Sequence, residues 1–219
     1  MGGAAHQMIS VKNLACQRGG QVILAGVSFE AAKGAAIVLR GPNGSGKTTL
    51  LRTLAGFLLA ASGSVVLSRS DGAAIPRDEA SEALHYIGHA NGVKPRLSVF
   101  ENIVFWQRYY SSHNDAEGAE AALEAFGLLH LASYRAAHLS QGQARRLGLA
   151  RLLAAKRPIW LLDEPSVSLD TSSTRMLEAA IADHLAGGGI AIVSTHLDLN
   201  LPNTSILHLD GGSAQTSLG

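Results

Sequence analysis

The pattern of hydrophobic and polar positions begins with a strand-like alternation. Residues 9–14 alternate as a half-buried strand does, the run Arg18-Gly19-Gly20 has the composition of a turn, and residues 21–29 have the pattern of a returning strand. These segments predict an antiparallel hairpin at the start of the chain. Short apolar runs predict further strands at residues 35–39, 63–67, 84–87, 159–162, 190–194 and 206–209, and the last of these is expected to close the sheet.

Helical spacing of apolar residues appears between these strands. Residues 47–59 carry leucines on one helical face, and further helices are predicted at residues 99–110, 116–126, 141–155 and 173–185. Residues 71–82 are polar and are predicted to form a surface loop. Strands that alternate with helices predict an α/β fold with a mostly parallel sheet and helices on both faces. Residues 99–139 have helices without strands, so they predict an inserted helical lobe.

The overall composition is that of a folded domain. Of the 219 residues, 47% are hydrophobic, which argues against a disordered chain. The formal net charge of +1 does not favour a domain dedicated to nucleic acid. No apolar run reaches the roughly 18 residues that cross a bilayer, and the single cysteine, Cys16, fits a reducing compartment. We expect one domain at residues 8–215, with the helical lobe at about 90–155 and a disordered or extended segment at 1–7.

Candidate chemistry begins at the glycine-rich run that follows the strand predicted at 35–39. The run matches the pattern G-x-x-x-x-G-K-[ST] in full and is followed by Thr49; its members are Gly41, Pro42, Asn43, Gly44, Ser45, Gly46, Lys47 and Thr48. Glycines let the backbone wrap an anion with its N–H groups. Lys47 is expected to neutralise the β- and γ-phosphates of ATP, and the Thr48 hydroxyl is expected to hold Mg²⁺.

Two acidic residues follow the apolar run at 159–162. A carboxylate that ends a buried parallel strand lies at the sheet edge where the phosphate loop also lies. Asp163 is therefore expected to hold Mg²⁺ together with Thr48. Glu164 is expected to orient or deprotonate the attacking water.

A third motif, Leu139-Ser140-Gln141-Gly142-Gln143, lies between these two and directly before a predicted helix. In this order and spacing the three motifs resemble the ATP-binding cassette (ABC) family, whose signature has a small residue in place of Gln141. The resemblance extends over about residues 9–210. It implies that Ser140, Gly142 and Gln143 complete the ATP site of a second subunit, so a homodimer is expected when ATP is bound.

Two further runs resemble the same family. Ser168-Leu169-Asp170 is similar to the loop after the acid pair, which implies that Asp170 lies at the dimer interface. Ser194-Thr195-His196 is similar to the switch-histidine segment, which implies that His196 contacts the γ-phosphate and the attacking water. The resemblance thus implies an ATPase with Lys47, Glu164 and His196 as its catalytic residues.

Two departures from the common family pattern point to one of its branches. His89 follows the strand predicted at 84–87 where most members have a glutamine that contacts the metal, and Arg18 stands where most members stack an aromatic residue on adenine. With the run 101–106, these features resemble the haem-exporter ATP-binding subunits of bacterial cytochrome c maturation. The resemblance implies ATP and Mg²⁺ as cofactors and a hydrophobic membrane subunit as partner. It also implies action on haem or a haem chaperone, at the cytoplasmic face of the inner membrane.

Alternative functions remain open. The chain has the features of an ATPase for another small-substrate transporter, and a soluble nucleic-acid-associated ATPase is a further alternative. The nucleic-acid-associated alternative rests on five cations that lie on or near one helix, namely Arg145, Arg146, Arg151, Lys156 and Arg157. We interpret them instead as a solvated helix face, with no nucleic acid as partner. A GTPase is disfavoured because the chain has no Asn-Lys-x-Asp run.

Residues 89–106 carry more apolar and aromatic material than one short helix buries on its own side. The family resemblance implies that this region receives a cytoplasmic helix of the membrane subunit. Phe100 and Phe105 are the expected solvent-reachable members. The alternative is that Phe100, Ile103 and Trp106 form the core of the lobe itself, and we expect this of about half of them.

Overall fold

The computed structural model describes residues 8–69, 71–76, 79–111, 115–210 and 214–218, and the segment 1–7, predicted to be disordered or extended, lies outside these ranges. The strands are β1 (Met8–Arg18), β2 (Gln21–Ala32), β3 (Ala36–Arg40), β4 (Ala60–Ser68), β5 (Leu84–Ile87), β6 (Ile159–Asp163), β7 (Ile190–Ser194), β8 (Thr204–Leu209) and β9 (Ala214–Leu218). The helices are α1 (Lys47–Leu54), α2 (Val99–Ser111), α3 (Ala116–Ala125), α4 (Gln141–Ala154) and α5 (Thr171–Ala186).

Two sheets organise these elements. The larger has six strands in the order β5-β6-β7-β3-β8-β9, of which the first five run parallel and β9 pairs antiparallel with β8. The smaller is antiparallel, in the order β2-β1-β4, and contains the predicted N-terminal hairpin. The predicted fold class, a mostly parallel sheet with an antiparallel N-terminal subdomain and an inserted helical lobe, is confirmed.

The larger sheet is covered by other elements on both of its faces. Every residue of β6 and β7 is buried. Ile159 and Leu161 of β6 join the core formed with α1 and the antiparallel sheet, whereas Trp160 and Leu162 join the core formed with α2 to α5. Successive side chains of a strand point to opposite faces, so an unbroken apolar strand needs helices or a sheet on each side.

The helices between β5 and β6 pack on one another. Contacts join α2, α3 and α4, and the fully buried side chains of Ile103, Phe126 and Leu147 form their shared core. Within the described ranges, no helix has both the length and the apolar character that a membrane span requires.

Several predictions differ from the observed elements, and β1, β2 and β4 are longer than predicted. Helix α1 ends at Leu54 rather than at residue 59, because Ala55 caps it and Gly56 follows with a φ of 78°, a conformation that ends helices. The strand predicted at 206–209 is not the last strand of the sheet, because β9 pairs with its outer side. The loop predicted at 71–82 contains the start of a short 3₁₀ helix, Ala80–Ala83.

Candidate active site

The order of the strands brings three chain segments to one edge of the sheet. Strands β6, β7 and β3 are neighbours and run in the same direction, so the residues that follow them meet at their carboxyl ends. These residues are the phosphate loop after β3, the acid pair at the end of β6 and the histidine segment after β7. Ligands of open α/β sheets bind at such an edge.

The glycines of the phosphate loop are required by close contacts. A Cβ atom on Gly41 would lie 2.2 Å from the backbone oxygen of Leu209, and one on Gly46 would lie 2.7 Å from the side chain of Leu24. Gly46 has a φ of 101° and is the N-cap of α1. The loop therefore folds tightly onto the start of α1, where unpaired N–H groups and the helix dipole favour an anion.

Lys47 lies over this loop. Its Nζ donates to the backbone oxygens of Gly41, at 2.7 Å, and Pro42, at 3.1 Å, and its side chain is buried. No acidic residue lies in the first turn of α1. The cation is therefore held at the helix start and has no carboxylate from that turn to neutralise it.

Asp163 is held by three hydroxyl groups. Its Oδ1 accepts from Thr48 Oγ1 at 3.0 Å and from Ser194 Oγ at 2.8 Å, and its Oδ2 accepts from Tyr86 Oη at 3.3 Å. Burial raises the pKa of Tyr86, which keeps this hydroxyl protonated as a donor. The sequence predicted the pairing of Thr48 with Asp163, whereas Tyr86 and Ser194 were not predicted.

The donor set at Asp163 fits Mg²⁺. A hydroxyl and a carboxylate 3.0 Å apart are the hard oxygen ligands that this ion prefers. Within the described ranges, no group of three or more His, Cys, Asp or Glu residues is placed to hold a metal ion. Mg²⁺ commonly takes one or two protein ligands and completes its shell with phosphates and water.

Glu164 and His196 face each other across the same edge. His196 Nε2 lies 3.4 Å from Glu164 Oε1 and 3.1 Å from Asn43 Oδ1 of the phosphate loop. Glu164 Oε1 is buried and has no hydrogen bond within the described part of the chain. A carboxylate oxygen beside the phosphate loop that accepts no hydrogen bond is available to accept a proton from a bound water.

These residues line one open cleft of about 590 Å³. Its lining includes most of the predicted set, namely Arg18, Asn43, Gly44, Gly46, Lys47, Thr48, Thr49, His89, Asp163, Glu164 and His196, and adds Ile23, Arg52 and Val167. Among the described residues that line it there is no Phe, Tyr or Trp, and Arg18 and Ile23 come from the antiparallel sheet. The structure thus brings Arg18 and His89 to the same cleft as the phosphate loop.

The signature residues lie elsewhere. Ser140, Gly142, Gln143 and Asp170 are not among the described residues that line the cleft. Ser140 caps α4 by accepting from Gln143 N at 3.2 Å, while Gln143 Oε1 accepts from Ser140 N at 2.8 Å, which completes a capping box. The backbone at Gly142 comes close to the Ser168 oxygen, which a Cβ would approach to 3.3 Å.

Asp170 lies two residues after Ser168, in the loop that follows the acid pair. Its Oδ1 accepts from Ser173 N at 2.7 Å and so caps α5. This backbone hydrogen bond, together with hydrogen bonds from the Ser173 and Ser172 side chains, lowers the pKa of Asp170 to about 2. The signature motif and the loop after the acid pair are therefore neighbours on one surface of the chain.

The interpretation of the α4 cations as a solvated face is wrong for two of them. Arg145 and Arg151 are only 4% and 6% exposed. Arg145 binds backbone oxygens next to the acid pair, and Arg151 Nη2 donates to the Tyr86 oxygen at 3.0 Å. A cation on a helix is usually solvated, and nothing local in the sequence distinguishes these two.

The family is established by comparison. The ABC transporter family model matches residues 24–167, which is more than half of the chain. The chain belongs to the ABC transporter family and is an ATP-hydrolysing subunit of that family.

Three similar proteins share one name. The cytochrome c biogenesis ATP-binding export protein CcmA of Paramagnetospirillum magneticum is 50% identical over 92% of this chain and 93% of its own length. The proteins of the same name from Cereibacter sphaeroides and Paracoccus denitrificans are 45% and 47% identical, over 96% and 92% of this chain and 93% and 89% of their own lengths.

Solved structures share the fold. A putative ABC transporter ATP-binding protein of Pyrococcus furiosus superposes with a TM-score of 0.80 at 24% identity, over 92% of this chain and 97% of that chain. A bacterial Atm1-family ABC exporter with ATP bound has a TM-score of 0.80 at 22% identity, over 99% of this chain and 39% of that chain.

Proposed function

We propose that the chain hydrolyses MgATP in this cleft with Glu164 as general base. The observation that carries the proposal is that Thr48, Asp163 and Glu164, whose Oε1 accepts no hydrogen bond, converge at the phosphate loop. Thr48 and Asp163 would hold Mg²⁺, which would neutralise phosphate charge. Lys47 exchanges its two loop carbonyls for β- and γ-phosphate oxygens. The remaining N–H groups of residues 41–49 cradle the phosphates.

The hydrolytic step needs one proton acceptor. Glu164 takes a proton from the attacking water as the water oxygen bonds to the γ-phosphorus and the bond to the β-phosphate oxygen breaks. His196, between Asn43 and Glu164, orients the γ-phosphate and the water. His89 lines the cleft, and we propose that it replaces the glutamine that contacts the metal in most family members.

A homodimer completes the site. Ser140, Gly142, Gln143 and Asp170 lie outside the cleft of their own chain, so they are free to close the cleft of a second copy. The N–H groups at the start of α4 then face the γ-phosphate, which a helix N-terminus favours. Two copies form two shared ATP sites.

We further propose that ATP hydrolysis powers haem export, or release of a haem-loaded chaperone, in c-type cytochrome maturation. The support is the name carried by relatives that are 45–50% identical over nearly the whole chain. The chain then works at the cytoplasmic face of the bacterial inner membrane, bound to a hydrophobic membrane subunit, and nucleic acid is not a partner. The ATPase of another small-substrate transporter is the alternative.

The docking surface that we propose is the aromatic face of α2, formed by Phe105, Trp106 and Tyr109. Their rings contact one another with centroids 5.2 to 6.5 Å apart, and Tyr109 is 70% exposed. Lys94 Nζ lies 4.9 Å from the Phe105 ring. Phe105 and Trp106 are half-buried, and aromatics that are partly accessible in this way can anchor a partner helix.

Complementation tests the pathway. Cells that lack this chain should regain haem-stained c-type cytochromes with the wild-type gene, and should not regain them with Lys47→Ala or Glu164→Gln. Accumulation of a haem-loaded chaperone in Glu164→Gln cells would favour the release role over export. Normal c-type cytochromes in cells without the chain would contradict the pathway and leave another small-substrate transporter as the function.

A further inference from the structure

The backbone of Glu164 adopts a conformation that other contacts must maintain. Its φ is 49°, in the left-handed region that residues with a side chain seldom occupy. The Glu164 N–H donates to the Ser194 oxygen at 3.0 Å, which fixes one side of this turn. Such conformations persist only when the surroundings hold them, and the direction of the Glu164 carboxylate depends on this one.

Arg145 holds the other side of the turn. Its Nη2 donates to the Glu164 oxygen at 2.7 Å, and its Nε donates to the Pro165 oxygen at 3.0 Å. The same guanidinium reaches the segment after β5, where Nη1 donates to the Gly88 oxygen at 2.9 Å and to Asn91 Oδ1 at 3.0 Å. All four acceptors are neutral, and three of them are backbone oxygens.

The hydrogen bonds of the buried Arg145 guanidinium are more specific than the packing of a side chain in the core requires. Burial lowers the pKa of Arg145, and burying a cation without a carboxylate contact is unfavourable. A planar guanidinium offers five donors in a fixed fork, which suits carbonyls that approach from two segments. A lysine ammonium has the same charge, but its single nitrogen cannot span them.

We propose that Arg145 is a positioning residue for ATP hydrolysis, which fixes the Glu164 turn against the segment 88–91. That segment contains His89, and the Arg145 side chain comes from α4, the helix that Ser140 caps. One guanidinium thus joins the turn that carries the base, the His89 segment and the signature helix. The inference rests on the proposed role of Glu164 as general base.

The test is a set of substitutions in the purified full chain. Arg145→Lys should lower kcat for ATP by about 10- to 100-fold, because misplacing a reacting group by about 1 Å costs about 10²-fold. The Kd for ATP should change by less than about twofold, since Arg145 does not line the cleft. Equal losses in kcat and in ATP binding would overturn the proposal, as would a kcat near the wild-type value.

Arg157→Lys is the matched control. The Arg157 guanidinium also binds backbone oxygens, those of Ser81, Leu84 and Tyr110, and it lies before β6, at the opposite edge of the sheet from the cleft. Its replacement should leave kcat within about twofold of wild type. An equal loss of kcat in both variants would show a general structural effect and would overturn the proposal.

Two further variants separate this inference from the proposed function. Arg145→Lys in a Glu164→Gln background should lower the residual rate by less than about twofold, because the carboxylate that it positions is already gone. A full additional loss there would overturn the positioning role. Wild-type hydrolysis by Glu164→Gln alone would instead overturn Glu164 as the base. If Arg145→Lys does not fold, Asn91→Ala, which removes one acceptor, should reduce kcat by about two- to fivefold with unchanged Kd, and an unchanged kcat would overturn the proposal.

Discussion

Arg18 lines the cleft on the side formed by the antiparallel sheet, where we expect the base of the nucleotide to bind. Arg18 and Ile23 line this side, and no Phe, Tyr or Trp lies among the described lining residues. A guanidinium stacks on any purine and does not distinguish adenine from guanine. We therefore expect the Kd values for ATP and GTP to differ by less than about tenfold in competition binding.

Arg18→Tyr provides the companion measurement. Aromatic stacking on a base is worth about 1–3 kcal/mol in proteins that bind single-stranded nucleic acid, so this variant should bind both nucleotides more tightly. A preference of a hundredfold for ATP in the wild-type chain would contradict the expectation that Arg18 does not distinguish adenine from guanine.

At the scale of single residues, the sequence predicted the residues that belong to short contiguous motifs. Lys47, Thr48, Asp163 and Glu164 belong to patterns that are complete within a few residues. Tyr86 binds a carboxylate 77 positions away, and no local pattern carries such a pairing. The burial of Arg145 was missed for the same reason, because its acceptors come from two other segments.

Helix α5 shows how an element depends on the charge of its cap. Hydrogen bonds from Ser173 and Ser172 lower the pKa of the exposed Asp170 to about 2. A carboxyl whose pKa is depressed in the folded state stabilises that state at pH values above its unfolded pKa. This contribution is lost as the pH falls from about 4 through 2.

Asp170→Asn tests this dependence, because asparagine is also a good N-cap but carries no charge. The thermal unfolding midpoint of the wild type should exceed that of the variant near pH 6. The difference should shrink between pH 4 and pH 2. A difference that stays constant over this range would show that the Asp170 charge does not stabilise α5.

At the scale of elements, the sequence predicted whether a segment is a helix or a strand better than it predicted where the segment begins and ends. Apolar spacing continues past Leu54, but Gly56 ends α1 and leaves Phe57 and Leu59 exposed at 65% and 69%. Strand β9 was not predicted, because its pairing with β8 depends on a neighbouring strand rather than on its own pattern. The strands β5 and β7 were predicted with their observed bounds, since buried strands are unbroken apolar runs.

At the scale of the whole molecule, the aromatic face of α2 is the candidate contact with the membrane subunit. Ile103 is fully buried, and Phe100 and Trp106 pack against the core, whereas Phe105 is not part of that core. Phe105 is therefore the better choice for substitution, since Phe100 contributes to the stability of the lobe. The expectation that about half of Phe100, Ile103 and Trp106 form the core is therefore wrong, because all three belong to the core or pack against it.

Phe105→Ser should separate ATP hydrolysis from docking to the membrane subunit. Hydrolysis of ATP by the variant should stay within about twofold of wild type, and capture of the membrane subunit should fall more than tenfold, because a central aromatic anchor is worth about 2 kcal/mol or more. Tyr134→Ser is the control, an aromatic that is 57% exposed outside α2. Normal co-purification of the membrane subunit with Phe105→Ser would show that docking occurs elsewhere.

Hydrolysis by Glu164→Gln tests the proposed active site most directly. The variant keeps the Thr48 and Asp163 pair and the phosphate loop, so its ATP Kd should stay within about twofold of wild type. Its kcat should fall by about 10²–10⁴-fold, as loss of a general base does, and ATP should hold it as a dimer in light scattering. Glu120→Gln, an exposed acid on α3, should hydrolyse ATP normally. A near wild-type rate for Glu164→Gln would contradict the assignment of the base.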